Sequence, residues 1–145
     1  MCRPSRCGHG PAILASLKSS SATAAIAHLA SLCARKDASL GMMSESIPVL
    51  IHAADLNLPV NDSKEPLNTI IDIVSDHMPL FEQGRMPAFL QYAFRQGTAL
   101  LLLDGFDELA PDSQKLVTDY LKVLLSAYPK TRIVTNAIPE QIDGL

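Results

Sequence analysis

Cysteine is scarce. The three present, Cys2, Cys7 and Cys33, cannot build a disulfide framework. Cys2 and Cys7 stand near His9, yet their spacing fits no standard zinc finger and a fourth ligand is lacking. Residues 1–11 therefore read as a flexible N-terminal tail. Long apolar runs are also missing: none reaches the roughly 18–20 residues that a membrane span needs, so no membrane partner is expected. Arg3 and Arg6 are followed by no hydrophobic signal core, which points to a cytoplasmic protein. Basic charge is not in excess either. Twelve Lys and Arg stand against fifteen Asp and Glu, a net charge of −3, which leaves no electrostatic footprint for nucleic acid. General disorder is excluded by a chain that is 48% hydrophobic and 19% charged. Its 145 residues suffice for one domain with a real core.

The most informative stretch is Ala99-Leu100-Leu101-Leu102-Leu103-Asp104-Gly105-Phe106-Asp107-Glu108-Leu109. An apolar run without alternation, stopped by an acidic turn, is expected of a strand buried on both faces of a parallel sheet. Asp104 then stands at the carboxyl end of the strand, where open α/β sheets place their ligands. A carboxylate there suits Mg²⁺, which takes oxygen ligands and shares them with phosphates. Asp107 and Glu108 follow within one turn, where they can position a water for attack on a phosphate.

Around this stretch the pattern predicts alternating strands and helices. Ala12 to Ala15 forms a first short strand, Ser16 to Thr23 a tight polar loop, and Thr23 to Ala34 an Ala-rich helix. A polar connection leads to a second strand over Ile47 to His52, with Pro48 suited to an edge position. A helix spans Leu67 to His77, and another opens at Pro87 and ends at Gly97. After the acidic turn, Asp112 is the expected N-cap of a helix that runs to Tyr128 and stops at Pro129. Thr131 to Thr135 is the fourth strand. This β-α-β-α-α-β-α-β order implies a parallel sheet with helices on both faces. His28, His52 and His77 are scattered, and no Ser/His/Asp or Cys/His spacing stands out.

Three blocks together carry a family resemblance: Ile47-Pro48-Val49-Leu50-Ile51 through Asp55-Leu56, Leu100 to Leu109, and Tyr128-Pro129-Lys130-Thr131-Arg132-Ile133-Val134-Thr135. In order and spacing the chain resembles the NACHT group of STAND signalling NTPases, with D-G-F-D-E as its Walker B block. The resemblance covers residues 12–145 as a partial NACHT-like nucleoside-triphosphatase domain. It implies a three-layer P-loop NTPase-like fold with strand order 5-1-4-3-2, of which the last strand would lie beyond Leu145. It also implies a nucleotide-dependent regulatory switch using Mg²⁺ with ATP or GTP, and association with itself or with other domains of a longer chain. Carried onto this sequence, Asp104 and Thr23 are the metal-binding residues, and Glu108 orients water with Asp107 in support. Ser19, Ser20, Ser21, Ala22 and Thr23, with Asn136 from the far strand, are the nucleotide-binding residues.

The sequence also departs from that pattern. A P-loop needs G-x-x-x-x-G-K-[ST], with glycines to admit phosphate to the amides and a Lys on the β/γ-phosphates. Ser16 to Thr23 has neither glycine, Ala22 falls where the Lys belongs, and only Thr23 matches. Lys18 is nearby, while Gly8-His9-Gly10 lies on the wrong side of the first strand. Asn136 stands where the family often carries an Arg after the fourth strand. With both cations missing, hydrolysis is expected to be weak or lost. The alternatives are a non-catalytic oligomerisation or scaffold module and a fragment of a larger STAND protein.

Overall fold

A computed structural model describes residues 13–15, 19–59 and 64–136. The tail over residues 1–11, Lys18, the Gly8-His9-Gly10 segment and the turn expected after Asn136 lie outside the described residues. Four strands, β1 (Ile13–Ala15), β2 (Ile47–His52), β3 (Ala99–Asp104) and β4 (Arg132–Asn136), alternate with helices α1 (Ser19–Ala34), α2 (Pro66–Asp76), α3 (Leu80–Gln83), α4 (Met86–Gln96) and α5 (Pro111–Ala127). The strands form one parallel sheet in the order β1-β4-β3-β2. This is the order expected above for strands one to four.

The sheet separates two apolar layers. On β3, Leu100 and Leu102 face α1 and pack with Ile26, Cys33 and Val134. Leu101 and Leu103 face the other way, with Val49 and Ile51 of β2, Leu67 and Ile70 of α2, Phe94 of α4, and Leu121 and Leu124 of α5. Because successive strand residues point to opposite faces, a strand covered on both sides must be apolar at every position. The four leucines are fully buried. The protein is thus an α/β fold with a parallel sheet between helical layers.

Local chemistry sets the helix ends, and it corrects two expectations. Gly97 closes α4 in the left-handed conformation, φ 75°, as expected of a C-terminal glycine. Asp112, however, is not the cap of α5. The N-cap is Ala110, and Pro111 begins the helix, since its fixed φ suits the first helical position. Asp112 instead sits in the first turn, where the helix dipole favours a carboxylate. The second correction concerns the loop after β1. Helix α1 starts at Ser19 rather than Thr23, which leaves residues 16–18 as the connection. The connection expected to be irregular before β2 contains a 3₁₀ helix over Ala38–Met43, capped by Asp37, whose carboxylate accepts from Ser39 N–H.

Two tyrosines of the C-terminal part hold the start of α2. The hydroxyl of Tyr120 donates to the Pro66 carbonyl at 2.8 Å, and that of Tyr128 donates to Glu65 Oε1 at 2.6 Å. Burial raises the pKa of both phenols, and the Glu65 carboxylate raises that of Tyr128 further. A group whose folded pKa is raised contributes stability that is complete below its unfolded value, about 10 for tyrosine, and lost as pH rises through the folded value. The urea midpoint is therefore expected to fall at alkaline pH beyond that value. Tyr128→Phe should cost about 1 kcal/mol at neutral pH and make the alkaline fall shallower. A midpoint unchanged on the alkaline side would contradict both tethers.

Candidate functional site

The parallel register brings the strand ends together at one edge of the sheet. His52 is level with Asp104, and Ala15 with Asn136. Asp104 is the last residue of β3, and a tight turn follows: Gly105 at φ 73°, then a 3₁₀ helix over Phe106–Glu108. A left-handed residue is needed here, and glycine adopts that conformation without steric cost. The position is also crowded. A Cβ on Gly105 would lie 2.3 Å from Nε2 of His52, so the imidazole ring lies directly against the glycine. His52 is held by its Nδ1, which accepts from Ala54 N–H at 3.2 Å.

Three donors converge on one oxygen of Asp104. Gly105 N–H lies 2.9 Å from Oδ1, the hydroxyl of Thr23 at 3.0 Å and the amide nitrogen of Asn136 at 3.3 Å. The Thr23 contact joins α1 to the end of β3 across 81 positions of sequence. Asp104 Oδ2 lies outside these three bonds.

Asn136 links the turn to β4. Its Nδ2 donates to Asp107 Oδ1 at 2.7 Å as well as to Asp104, and its Oδ1 accepts from Phe106 N–H at 3.1 Å. Both ends of the amide are thus engaged, and the residue is only 1% exposed. On the other side of the turn, Gln114 of α5 donates to the Phe106 carbonyl at 3.2 Å. A neutral amide therefore stands between two carboxylates. Among the described residues the ion pair found is Lys36–Glu45, so no described Lys or Arg pairs with Asp104 or Asp107.

The residues singled out in the sequence fall into three groups. Thr23, Asp104, Asp107 and Asn136 form one hydrogen-bonded cluster. Glu108 lies on the same turn and is exposed. The backbone of Ser19, Ser20, Ser21 and Ala22 forms the first turn of α1, whose leading N–H groups have no intrahelical acceptor. Thr23 lies beyond that turn. Asn136 had been read as part of a loop, and it is instead the last residue of β4.

Among the described residues no group of three or more His, Cys, Asp or Glu is placed to hold a metal ion. The expected Mg²⁺ set is smaller than that, one carboxylate and one hydroxyl 3.0 Å apart. Such a pair is chemically suited to Mg²⁺, which keeps several waters and phosphate oxygens in its shell. A cavity of about 340 Å³ adjoins Asp104 on the β2 side, lined also by His52, Asp55 and His77.

No protein-family model, curated protein or solved structure matches the chain. The site therefore rests on its own geometry.

Two contributors escape sequence reading. Gln114 is one polar position on the inward stripe of α5, and only helical periodicity marks it as inward. The His52–Gly105 contact joins two strand ends, and it becomes visible only once β2 and β3 are known to be neighbours in register.

Proposed function

We propose that this chain carries a NACHT-like, P-loop NTPase-type nucleotide-binding domain, the regulatory switch of a cytoplasmic signal-transduction protein, with weak or lost hydrolysis. The observation that carries this reading is the Thr23–Asp104 contact. A hydroxyl from the helix after the first strand meets a carboxylate at the end of a buried strand, on the edge of the sheet where ligands bind. In this reading Asp104 and Thr23 hold Mg²⁺, and the N–H groups of Ser19, Ser20, Ser21 and Ala22 receive phosphate oxygens at the helix N-terminus. Mg²⁺ would supply charge neutralisation for ATP or GTP. Glu108 orients water, while Asp107 is held by Asn136.

The engagement of Asn136 favours a second reading, a non-catalytic scaffold module that keeps the fold. Its amide satisfies both carboxylates without a cation, so the turn is stable with nothing bound.

Equilibrium binding of a fluorescent ATP analogue to the folded protein separates the two. Saturable, Mg²⁺-dependent binding that disappears in Asp104→Ala, with turnover near background, is the expected result. Absence of binding at millimolar nucleotide, by protein shown to be folded by circular dichroism, would leave the scaffold reading.

A further inference from the structure

Helices α4 and α5 each bury one stripe and leave a second one in water. The inner stripe of α4 is Leu90, Ala93 and Phe94. Its outer stripe is Arg85, Phe89, Tyr92 and Gln96, spaced four, three and four residues apart, so these are neighbours along one helical face. Phe89 is 46% exposed and Tyr92 64%. Aromatic side chains in that position are more characteristic of interfaces than of free surface. No acidic residue occurs in α4.

The outer stripe of α5 has the same spacing. Asp112, Leu116, Asp119 and Val123 follow one another at four, three and four, with Lys115 and Lys122 to one side. Leu116 is 40% exposed and Val123 57%. Among the described residues the ion pair is Lys36–Glu45, so neither Arg85 nor these two aspartates form a salt bridge within the chain.

We infer that the α4 stripe of one copy packs on the α5 stripe of a second copy. Phe89 and Tyr92 cover Leu116 and Val123, and Arg85 meets the carboxylates of Asp112 and Asp119. A second copy is the occupant because every chain carries both halves of the match, one basic and aromatic, the other acidic and aliphatic. The two surfaces differ, so the contact is heterologous and joins copies head to tail. A single helix pair buries less than the roughly 1,200 Å² of a stable standard interface, so the association is transient. It does not depend on nucleotide.

Sedimentation velocity on the full chain tests this. The weight-average mass is expected to rise with concentration between micromolar and millimolar protein. Phe89→Glu/Tyr92→Glu and Leu116→Glu/Val123→Glu should each remain monomeric alone. Mixed in equal amounts they should form a one-to-one dimer, because each keeps one intact stripe. Arg85→Asp should weaken association by about tenfold, and Asp112→Arg/Asp119→Arg in the same chain should restore it. A wild-type chain that stays monomeric throughout overturns the proposal. So does a mixture that fails to dimerise, or either apolar variant associating like wild type, and charge reversals without mutual rescue do the same.

Discussion

Asn136→Asp is expected to destabilise the fold by about 3–5 kcal/mol at neutral pH, the range for leaving buried charge uncompensated. The wild-type amide gives two donors, to Asp104 and Asp107, and accepts from Phe106 N–H. A carboxylate there loses both donors and brings a third negative charge to the same point. Its folded-state pKa would be raised by the like charges, while its unfolded value stays near the usual 3.9 or so. The penalty is therefore absent below the unfolded value and grows as pH rises through the folded one. Urea denaturation across acid and neutral pH measures this. Millimolar Mg²⁺ should recover part of the loss, since a divalent cation relieves converging carboxylates. A variant within about 1 kcal/mol of wild type at neutral pH, less than one such interaction is worth, would show that the amide does not hold the turn.

Gly105→Ala is the second large effect. The left-handed conformation at φ 73° costs an L-residue about 1–2 kcal/mol. The added methyl also meets the His52 ring, with 2.3 Å to Nε2, and overpacking of this kind adds about 1–3 kcal/mol. A total of about 2–4 kcal/mol is expected, with loss of the Asp104 cluster because the turn must open. His52→Ala in the same chain should recover the contact part and leave the backbone part. If the double variant were no more stable than Gly105→Ala, the ring would not be the obstacle.

Much of this architecture is legible from residue order alone. The leucine run of β3 announces double-sided burial because no polar residue interrupts it, and Gly97 marks the end of α4 through its left-handed backbone. What was not legible depends on elements distant in sequence. The start of α1 was placed at Thr23 because serines favour loops and caps, yet four residues, Ser19 to Ala22, precede it in the helix. Asp112 competed with a proline for the start of α5, and the proline, with its preset φ, took the first helical position.

The site divides in the same way. D-G-F-D-E placed the carboxylates at a strand end, because an acidic turn after an apolar run has few other locations. The role of Asn136 could not be read. Its engagement with both Asp104 and Asp107 requires β4 to lie beside β3, and nothing near it in sequence indicates burial. The reading of Thr23 came from its place in a degenerate motif, and its contact with Asp104 is a property of the folded chain. A network closed by a neutral amide is also what distinguishes this turn from three bare carboxylates, which would repel unless a cation or donor relieved them.

The central proposal is that nucleotide with Mg²⁺ is held at the Asp104 cluster. The side-chain amide resonance of Asn136 in a ¹⁵N-correlated NMR spectrum reports on that cluster alone and can be assigned with Asn136→Ser. Titration with Mg²⁺ and ATP is expected to shift it saturably, with the shift lost on chelation and in Asp104→Ala. An Asn136 amide that does not move at millimolar Mg²⁺ and ATP or GTP would contradict nucleotide binding at this turn.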